Sequence, residues 1–304
     1  MEGYTWRAVQ ETDLDALAAL DSACLADDGP VSVPPPAYGG LTTAPAVSTL
    51  CATPAGADAP IVAVGWVQNR GGEAELGGKV HPAHRRRGLG THLLRWGAEQ
   101  ACVQGKPETL LIRNETLTSG SAALYQQEGY TCAFAELWME RDLHAPLPVG
   151  VPRFSHVSWT AENAPEFFAV YTDAFKERVG FPGHPAAHWI AEYVEDPDFR
   201  PDLSLLALVD GGPAGFVTAG VLPIPQTERQ VGWVSQMGVR PAYRGRGIAA
   251  DLLTTVMAGF QSEGYPALGL HVNVNNPRPI AVYKALGFRQ VGQRVKYVKP
   301  HVCS

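Results

Sequence analysis

Two short stretches of this chain combine the residue types that bind a phosphate anion. They are Val80-His-Pro-Ala-His-Arg-Arg-Arg-Gly-Leu-Gly90 and Val239-Arg-Pro-Ala-Tyr-Arg-Gly-Arg-Gly-Ile-Ala249. In each, a strand-like segment ends and a glycine-bearing run opens an apolar-periodic helix. A helix start carries unpaired N–H groups and a partial positive charge. Glycine lets the backbone approach a ligand closely, and arginine adds full positive charge. The residues expected to hold a pyrophosphate are Arg244, Gly245, Arg246, Gly247, Ile248 and Ala249 in the later copy. In the earlier copy they are Arg85, Arg86, Arg87, Gly88, Leu89, Gly90 and Thr91. One such motif alone is a weak signal. Here it occurs twice, and each copy is followed by a related segment: Ala123-Leu-Tyr-Gln-Gln-Glu-Gly-Tyr130 and Ala281-Val-Tyr-Lys-Ala-Leu-Gly-Phe288. Neither loop has the Gly-Lys-Ser/Thr ending of a P-loop or the spacing of a dinucleotide fingerprint, so an unrelated nucleotide-binding protein fits poorly.

The elements that must position these loops follow the same plan twice. The first half reads as a strand at Tyr4–Val9, a helix capped by Thr12, and a loop over Asp28–Pro45. Strands follow at Ile61–Val67 and Glu73–Val80, then a helix from Gly88 to about Val103. A strand at Thr109–Arg113, a helix over Ser119–Glu128 and strands through Tyr130–Leu143 complete it. Pro146, Pro148, Gly150 and Pro152 mark a linker. The second half has strands at Arg153–Trp159, Leu203–Val209, Ala214–Leu222 and Val231–Val239, with a helical region from Thr160. A helix from Gly247, a strand at Ala267–Asn273, a helix near Pro279–Leu286 and strands from Phe288 follow. A repeat of this length is a domain duplication rather than a solenoid. The expected division is a first domain over 1–145, a linker over 146–152 and a second domain over 153–304.

The repeated pattern resembles the acyl-CoA signature of the GNAT superfamily of N-acetyltransferases, over most of each half. The resemblance implies an α/β (α+β) fold: two tandem domains, each a mixed, mostly antiparallel twisted sheet with flanking helices. It implies acetyl-CoA as cofactor, one per domain, with the loop amides on its pyrophosphate. In that family a bulge splays the preceding strand from its neighbour, and the freed backbone pairs with pantetheine and polarises the acyl carbonyl. Met237 and Val239 match those positions in the second half, and Gly78 and Val80 in the first. Asn276 and Tyr283 match the family's CoA-contacting asparagine and the tyrosine near the sulfur. The first half keeps the tyrosine as Tyr125 but has Thr118 in the asparagine's place, so it is expected to bind cofactor without doing chemistry.

The implied reaction is direct attack of a small-molecule amine on the thioester. The Val239 amide would hold the developing oxyanion, and Tyr283 would protonate the leaving thiolate. The base is the open role. No carboxylate lies in Val231–Val239, and Glu228 just before it is the candidate, with an exposed turn residue as the other reading. Glu73 and Glu75 alternate onto one face of the equivalent strand, as a solvated edge would. Asn276 before Pro277 also reads as a helix cap. His81 and His84 flank the first loop. His184 and His188 are four apart without a third ligand in sight, so no metal is expected. Phe181, Pro182 and Trp189 either line an acceptor pocket or pack a core. The tandem arrangement is also similar to the mycothiol synthase family, which acetylates a cysteinyl amino-sugar conjugate. A non-catalytic acyl-CoA-binding or regulatory protein is the competing class.

Bulk properties bound the partners. The 304 residues are 45% hydrophobic and 18% charged, enough for two cores, and the net charge of −6 argues against nucleic acid. No signal-like start and no apolar run of membrane length occur, so a cytoplasmic protein without membrane contact is expected. The five cysteines, Cys24, Cys51, Cys102, Cys132 and Cys303, are widely spaced and read as reduced thiols with no disulfide or zinc site. Two fused domains already form a pseudo-dimer, so the chain is expected to be a monomer.

Overall fold

The computed structural model describes residues 3–29, 31, 47–56, 59–147, 153–177, 181, 183–225 and 227–303. Most of the expected loop over 28–45, residues 148–152 of the expected linker, and Pro182 lie outside them. In chain order the elements are β1 (Tyr4–Arg7), α1 (Leu14–Asp28), β2 (Val47–Pro54), β3 (Ala63–Arg70), β4 (Glu73–Val80), α2 (Leu89–Gly105), β5 (Thr109–Asn114), α3 (Ser119–Gln127) and β6 (Thr131–Asp142). There follow β7 (Ser155–Ser158), α4 (Ala164–Phe175), α5 (Ala186–Val194), β8 (Leu205–Val209), β9 (Gly212–Pro223), β10 (Gln230–Val239), α6 (Ile248–Ser262), β11 (Ala267–Asn273), α7 (Pro277–Ala285) and β12 (Arg289–Pro300).

Two compact units result: Met1–Glu136 with Gly292–Ser304, and Leu137–Val291. In the first, β1 to β4 pair antiparallel in sequence order, and β4 then pairs parallel with β5. In the second, β7 to β10 do the same, and β10 pairs parallel with β11. A parallel step needs a crossover. Helix α2 supplies it in one unit and α6 in the other. The expected mixed, mostly antiparallel fold is thus present twice.

Local sequence explains the corners. Arg70 pairs with Glu73 across Gly71 and Gly72, and Val209 with Gly212 across Asp210 and Gly211. Asp210 and Gly211 both take positive φ, 51° and 79°, as the tight two-residue hairpin demands. Each crossover helix buries one stripe. Leu89, Leu93, Gly97 and Ala101 face inward on α2, and Ile248, Leu252, Leu253, Val256, Met257 and Phe260 on α6. The Phe260 ring fills the space over Gly232, where an added Cβ would come within 2.6 Å of it.

The last strand does not stay with the second repeat. Val295 to Pro300 pair antiparallel with Asn114 to Thr109, and Val295 and Tyr297 join the core of Leu110, Ile112 and Tyr130. Compactness therefore divides the chain differently from the repeat: residues 292–304 complete the core of the first unit. This return also brings Cys303 to Cys102, and the two are joined in a disulfide. The expectation of five reduced, unclustered cysteines is corrected accordingly, because partners 201 residues apart leave no local spacing signal. Cys24, Cys51 and Cys132 are free thiols. Among the described residues no helix is long and apolar enough to cross a membrane.

Candidate active site

Each unit contains a fork. In the second, the parallel pairing of β10 with β11 covers Gly232 to Val234 and stops there. On its other side β10 continues against β9, with a register shift between Val234 and Gln236. That shift is a β-bulge, which bends the strand away from its neighbour. Past it, Met237 and Val239 lie on backbone that no longer pairs with β11, so its polar groups are available to a ligand. Helix α4 lies close over this segment. A Cβ on Gly238 would meet that of Ala174 at 2.7 Å, so only glycine admits the contact.

In the first unit the parallel pairing of β4 with β5 likewise ends at Leu76, leaving Gly77 to Val80 unpaired on that side. Here the register of β3 and β4 runs without a shift. The expected bulge is therefore present in the second unit and absent from the first. The Trp66 ring lies against Gly77 so closely that a Cβ there would fall 2.1 Å from it. Lys79 on the same strand is tied to the buried Asp21 of α1 at 2.6 Å.

The loops after the two forks share one backbone path. A 3-10 turn, Pro82–His84 or Pro241–Tyr243, follows each strand. Positive φ values then occur at Arg86 (61°) and Gly88 (83°), and at Gly245 (78°) and Gly247 (88°). Such alternation turns successive N–H groups to one side and forms an anion nest. Gly88 and Gly247 are the N-caps of α2 and α6 and carry no side-chain cap. The first amides of both helices thus remain for an anion.

The arginines divide their work. Arg85 Nε donates to the Val80 carbonyl at 3.0 Å, and its other nitrogens pair with Asp27 and Asp28. Arg244 Nε donates to the Val239 carbonyl at 3.2 Å, and its Nη2 to Ala174 at 3.0 Å. The first arginine of each motif therefore ties the loop to the end of the forked strand. Arg87 donates to the Ala83 carbonyl and the Tyr4 hydroxyl, while Arg246 lies over the Tyr243 ring. His84 contacts Tyr4, and burial, reinforced by Arg87 and His81, pushes its imidazole below the usual histidine value.

The tyrosines and their partners separate the two units. Burial pushes both Tyr125 and Tyr283 up to about 12. The Tyr125 hydroxyl accepts a hydrogen bond from Asn114 Nδ2 at 3.0 Å. The Tyr283 hydroxyl makes no hydrogen bond to another described residue. Thr118 is a working helix cap, with its hydroxyl accepting from the Ser121 amide at 3.1 Å. Asn276 starts α7 without any side-chain cap bond, so its amide is not spent on the helix.

Other expected residues fall elsewhere. Glu228 is exposed in the turn before β10, at the opposite end of that strand from Val239. At about 3.3 Å per residue the strand from Gln230 to Val239 alone spans roughly 30 Å. Glu75 is paired with Arg113 on the neighbouring strand. His184 and His188 stack on each other, and His188 faces Glu192 at 3.4 Å. Trp189 is 1% exposed within an aromatic core of Trp159, Phe167, Tyr171, Tyr193 and Phe216, so it packs rather than lines a pocket. Its indole N–H reaches Gln236 Oε1 at 3.0 Å, just past the bulge. One residue escaped the sequence reading. His271 follows Leu270, where β10 and β11 part, with its ring 4.9 Å from that of Trp233. A lone histidine in an apolar strand gives no signal before the pairing is known.

Comparison with known proteins agrees with this geometry. The model of the Acetyltransferase (GNAT) family matches residues 157–288, and an Acetyltransferase (GNAT) domain model matches residues 56–132. The chain is 31% identical over 257 residues to a mycothiol acetyltransferase of Kineococcus radiotolerans, covering 79% of this chain and 76% of that one. It is 34% identical over 235 residues to one from a Nocardioides species, covering 71% and 76%. In fold it is similar to a GCN5-related N-acetyltransferase from Sphaerobacter thermophilus, with a TM-score of 0.69, 23% identity and 100% and 98% coverage. It is similar also to a tandem GNAT protein from the clavulanic acid biosynthesis pathway, with a TM-score of 0.62, 18% identity and 99% coverage of both chains. With a fork, an anion nest and a family match in each half, the chain belongs to the GNAT acetyltransferase family, as a tandem-domain N-acetyltransferase that takes its acyl group from acyl-CoA.

Proposed function

We propose that the second unit acetylates the primary amine of a small cysteinyl amino-sugar conjugate, as in mycothiol formation, and that the first unit holds a second acetyl-CoA without turning it over. The observation that carries the division of labour is the pairing of a bulged fork with Asn276 and an unengaged Tyr283 in the second unit only. The acceptor class rests on the mycothiol acetyltransferase relatives. In this reading the loop amides from Arg244 to Ala249 hold the pyrophosphate, and Asn276 contacts the cofactor. Met237 and Val239 pair with pantetheine, and the Val239 amide faces the oxyanion. Tyr283 is neutral at pH 7, as an ordinary tyrosine is, and its hydroxyl is the donor for the leaving thiolate; burial raises its ionisation to about 12. In the first unit Gly78, Val80 and the loop from Arg85 to Thr91 hold the other cofactor. The protein acts in the cytoplasm as a monomer.

The test is product formation. Purified protein is incubated with acetyl-CoA and a panel of amines that includes a cysteinyl amino sugar, its sugar-free analogue and simple amino sugars. Mass spectrometry then scores N-acetylated product. Acetylation of the cysteinyl amino sugar at least ten-fold faster than the others is expected. Preference for an amine lacking the cysteinyl group would overturn the acceptor assignment.

The proton acceptor in this reading is His271, which replaces Glu228 on grounds of position. His271→Gln is expected to lower kcat by roughly ten-fold to a hundred-fold. The KM for acetyl-CoA should change little. An unchanged kcat in the variant, or an equal loss in Glu228→Gln, would return the role to another group.

A further inference from the structure

Cys102, on the last turn of α2, is joined to Cys303, which lies three residues beyond β12. A third group completes this cluster. His301 Nε2 lies 3.0 Å from Cys102 Sγ, and the two sulfurs and the ring nitrogen all fall within 4.8 Å of one another. The imidazole is held on its backbone, because the His301 amide donates to the Glu108 carbonyl at 2.8 Å. All three residues are half-buried, so a small molecule can reach them. Two of the three free thiols differ. Cys24 and Cys51 are buried, and burial pushes both thiols above the ordinary value, which makes them poor nucleophiles.

A disulfide that only cross-links the fold has no use for an imidazole against one sulfur. A disulfide that opens and closes does. Exchange proceeds by thiolate attack on one sulfur, and its rate depends on how well the other sulfur leaves. A histidine in contact with the departing sulfur stabilises the thiolate, as in thiolate–imidazolium pairs. We infer that Cys102, Cys303 and His301 form a thiol–disulfide exchange site for low-molecular-weight thiols, free CoA among them.

A thiolate RS⁻ attacks Cys303 Sγ and forms an RS–Cys303 bond. The Cys102–Cys303 bond breaks, and Cys102 leaves as a thiolate against the His301 ring, which can give it a hydrogen bond. A second RS⁻ attacks the thiol-derived sulfur of the mixed disulfide, giving RSSR and free Cys303. The pair is reduced by two electrons, and two RSH become one RSSR. The reverse sequence, with RSSR as oxidant, closes the bond again. The acyl-transfer reaction itself releases a thiol, CoA, so the reductant is at hand wherever the enzyme turns over. Opening the bond frees Cys303 from α2, the helix whose other end carries the first-unit loop.

The experiment uses the full chain with CoA and CoA disulfide as the probe. Aliquots at set ratios are quenched with iodoacetamide, and peptide mass spectrometry follows the Cys102–Cys303 cross-link. A reversible transition between bonded and alkylated forms is expected, while Cys24 and Cys51 stay unmodified in the native protein. His301→Gln should slow opening by CoA at least ten-fold, whereas Cys132→Ser should leave the rate unchanged. A cross-link that never forms in CoA disulfide, or never opens in CoA, overturns the proposal. So does an opening rate unchanged in a folded His301→Gln variant. Stoichiometric zinc uptake by the reduced chain that blocks re-oxidation would assign the cluster to a metal instead.

Discussion

Tyr283→Phe is expected to lower kcat by about a hundred-fold or more, with the KM for acetyl-CoA changed less than about three-fold. The substitution removes one hydroxyl and keeps the ring against Phe288, so packing survives. In the proposed mechanism it removes a neutral hydroxyl donor, whose ionisation burial pushes up to about 12. The sign follows directly. A donor with so high a value stays protonated through the assay range, so Tyr283 contributes no alkaline limb below about pH 11. Tyr125→Phe is the control, because that hydroxyl is already held by Asn114 and sits in the unit whose fork lacks the bulge. Its effect on turnover should stay within about two-fold. Equal losses from the two substitutions, measured by thioester consumption at saturating acetyl-CoA, would refute the division of labour.

Gly247→Val is expected to weaken acetyl-CoA binding to the second unit at least ten-fold and to lower kcat/KM by the same factor. Gly247 has φ 88°, a region that costs an L residue roughly 1–2 kcal/mol and a β-branched one more. It is also the N-cap of α6, so moving it turns the first helical amides away from the anion. A Cβ there would lie 3.3 Å from Arg153 Nη1, the flexible end of a side chain, so the cost is set by the backbone conformation rather than by crowding. Gly88→Val makes the equivalent change at φ 83° in the first unit. There the expected result is loss of one bound cofactor per chain with turnover preserved. Calorimetric titration gives the stoichiometry, and circular dichroism checks that both variants fold. Loss of turnover in Gly88→Val with Gly247→Val intact would place catalysis in the first unit.

Much of the fold was legible because its signals are local. The paired loops, their helices and the two hairpin turns are each specified within about fifteen residues, by glycines where φ is positive and by apolar stripes of helical period. The bulge was legible only through family resemblance, and the resemblance extended it to a half that lacks it. Nothing in Glu73–Val80 or Gln230–Val239 read alone distinguishes a strand with a register shift from one without. The arginines show the same limit. Their spacing predicts positive charge at the loop, but Arg85 and Arg244 spend donors on the carbonyls of Val80 and Val239.

The sequence by itself determined that this chain is a duplicated GNAT acetyltransferase and that the second copy keeps both Asn276 and Tyr283. Those facts lie in residue identity at short spacing, which needs no tertiary knowledge. The tertiary structure decided where the compact units divide, since β5 takes its antiparallel partner from residues 295–300. It decided too that Glu228 lies far from the fork while His271 lies at it, because strand register sets distances that sequence order does not. And it joined Cys102 to Cys303 beside His301, a cluster that exists only because the last strand returns to the first unit.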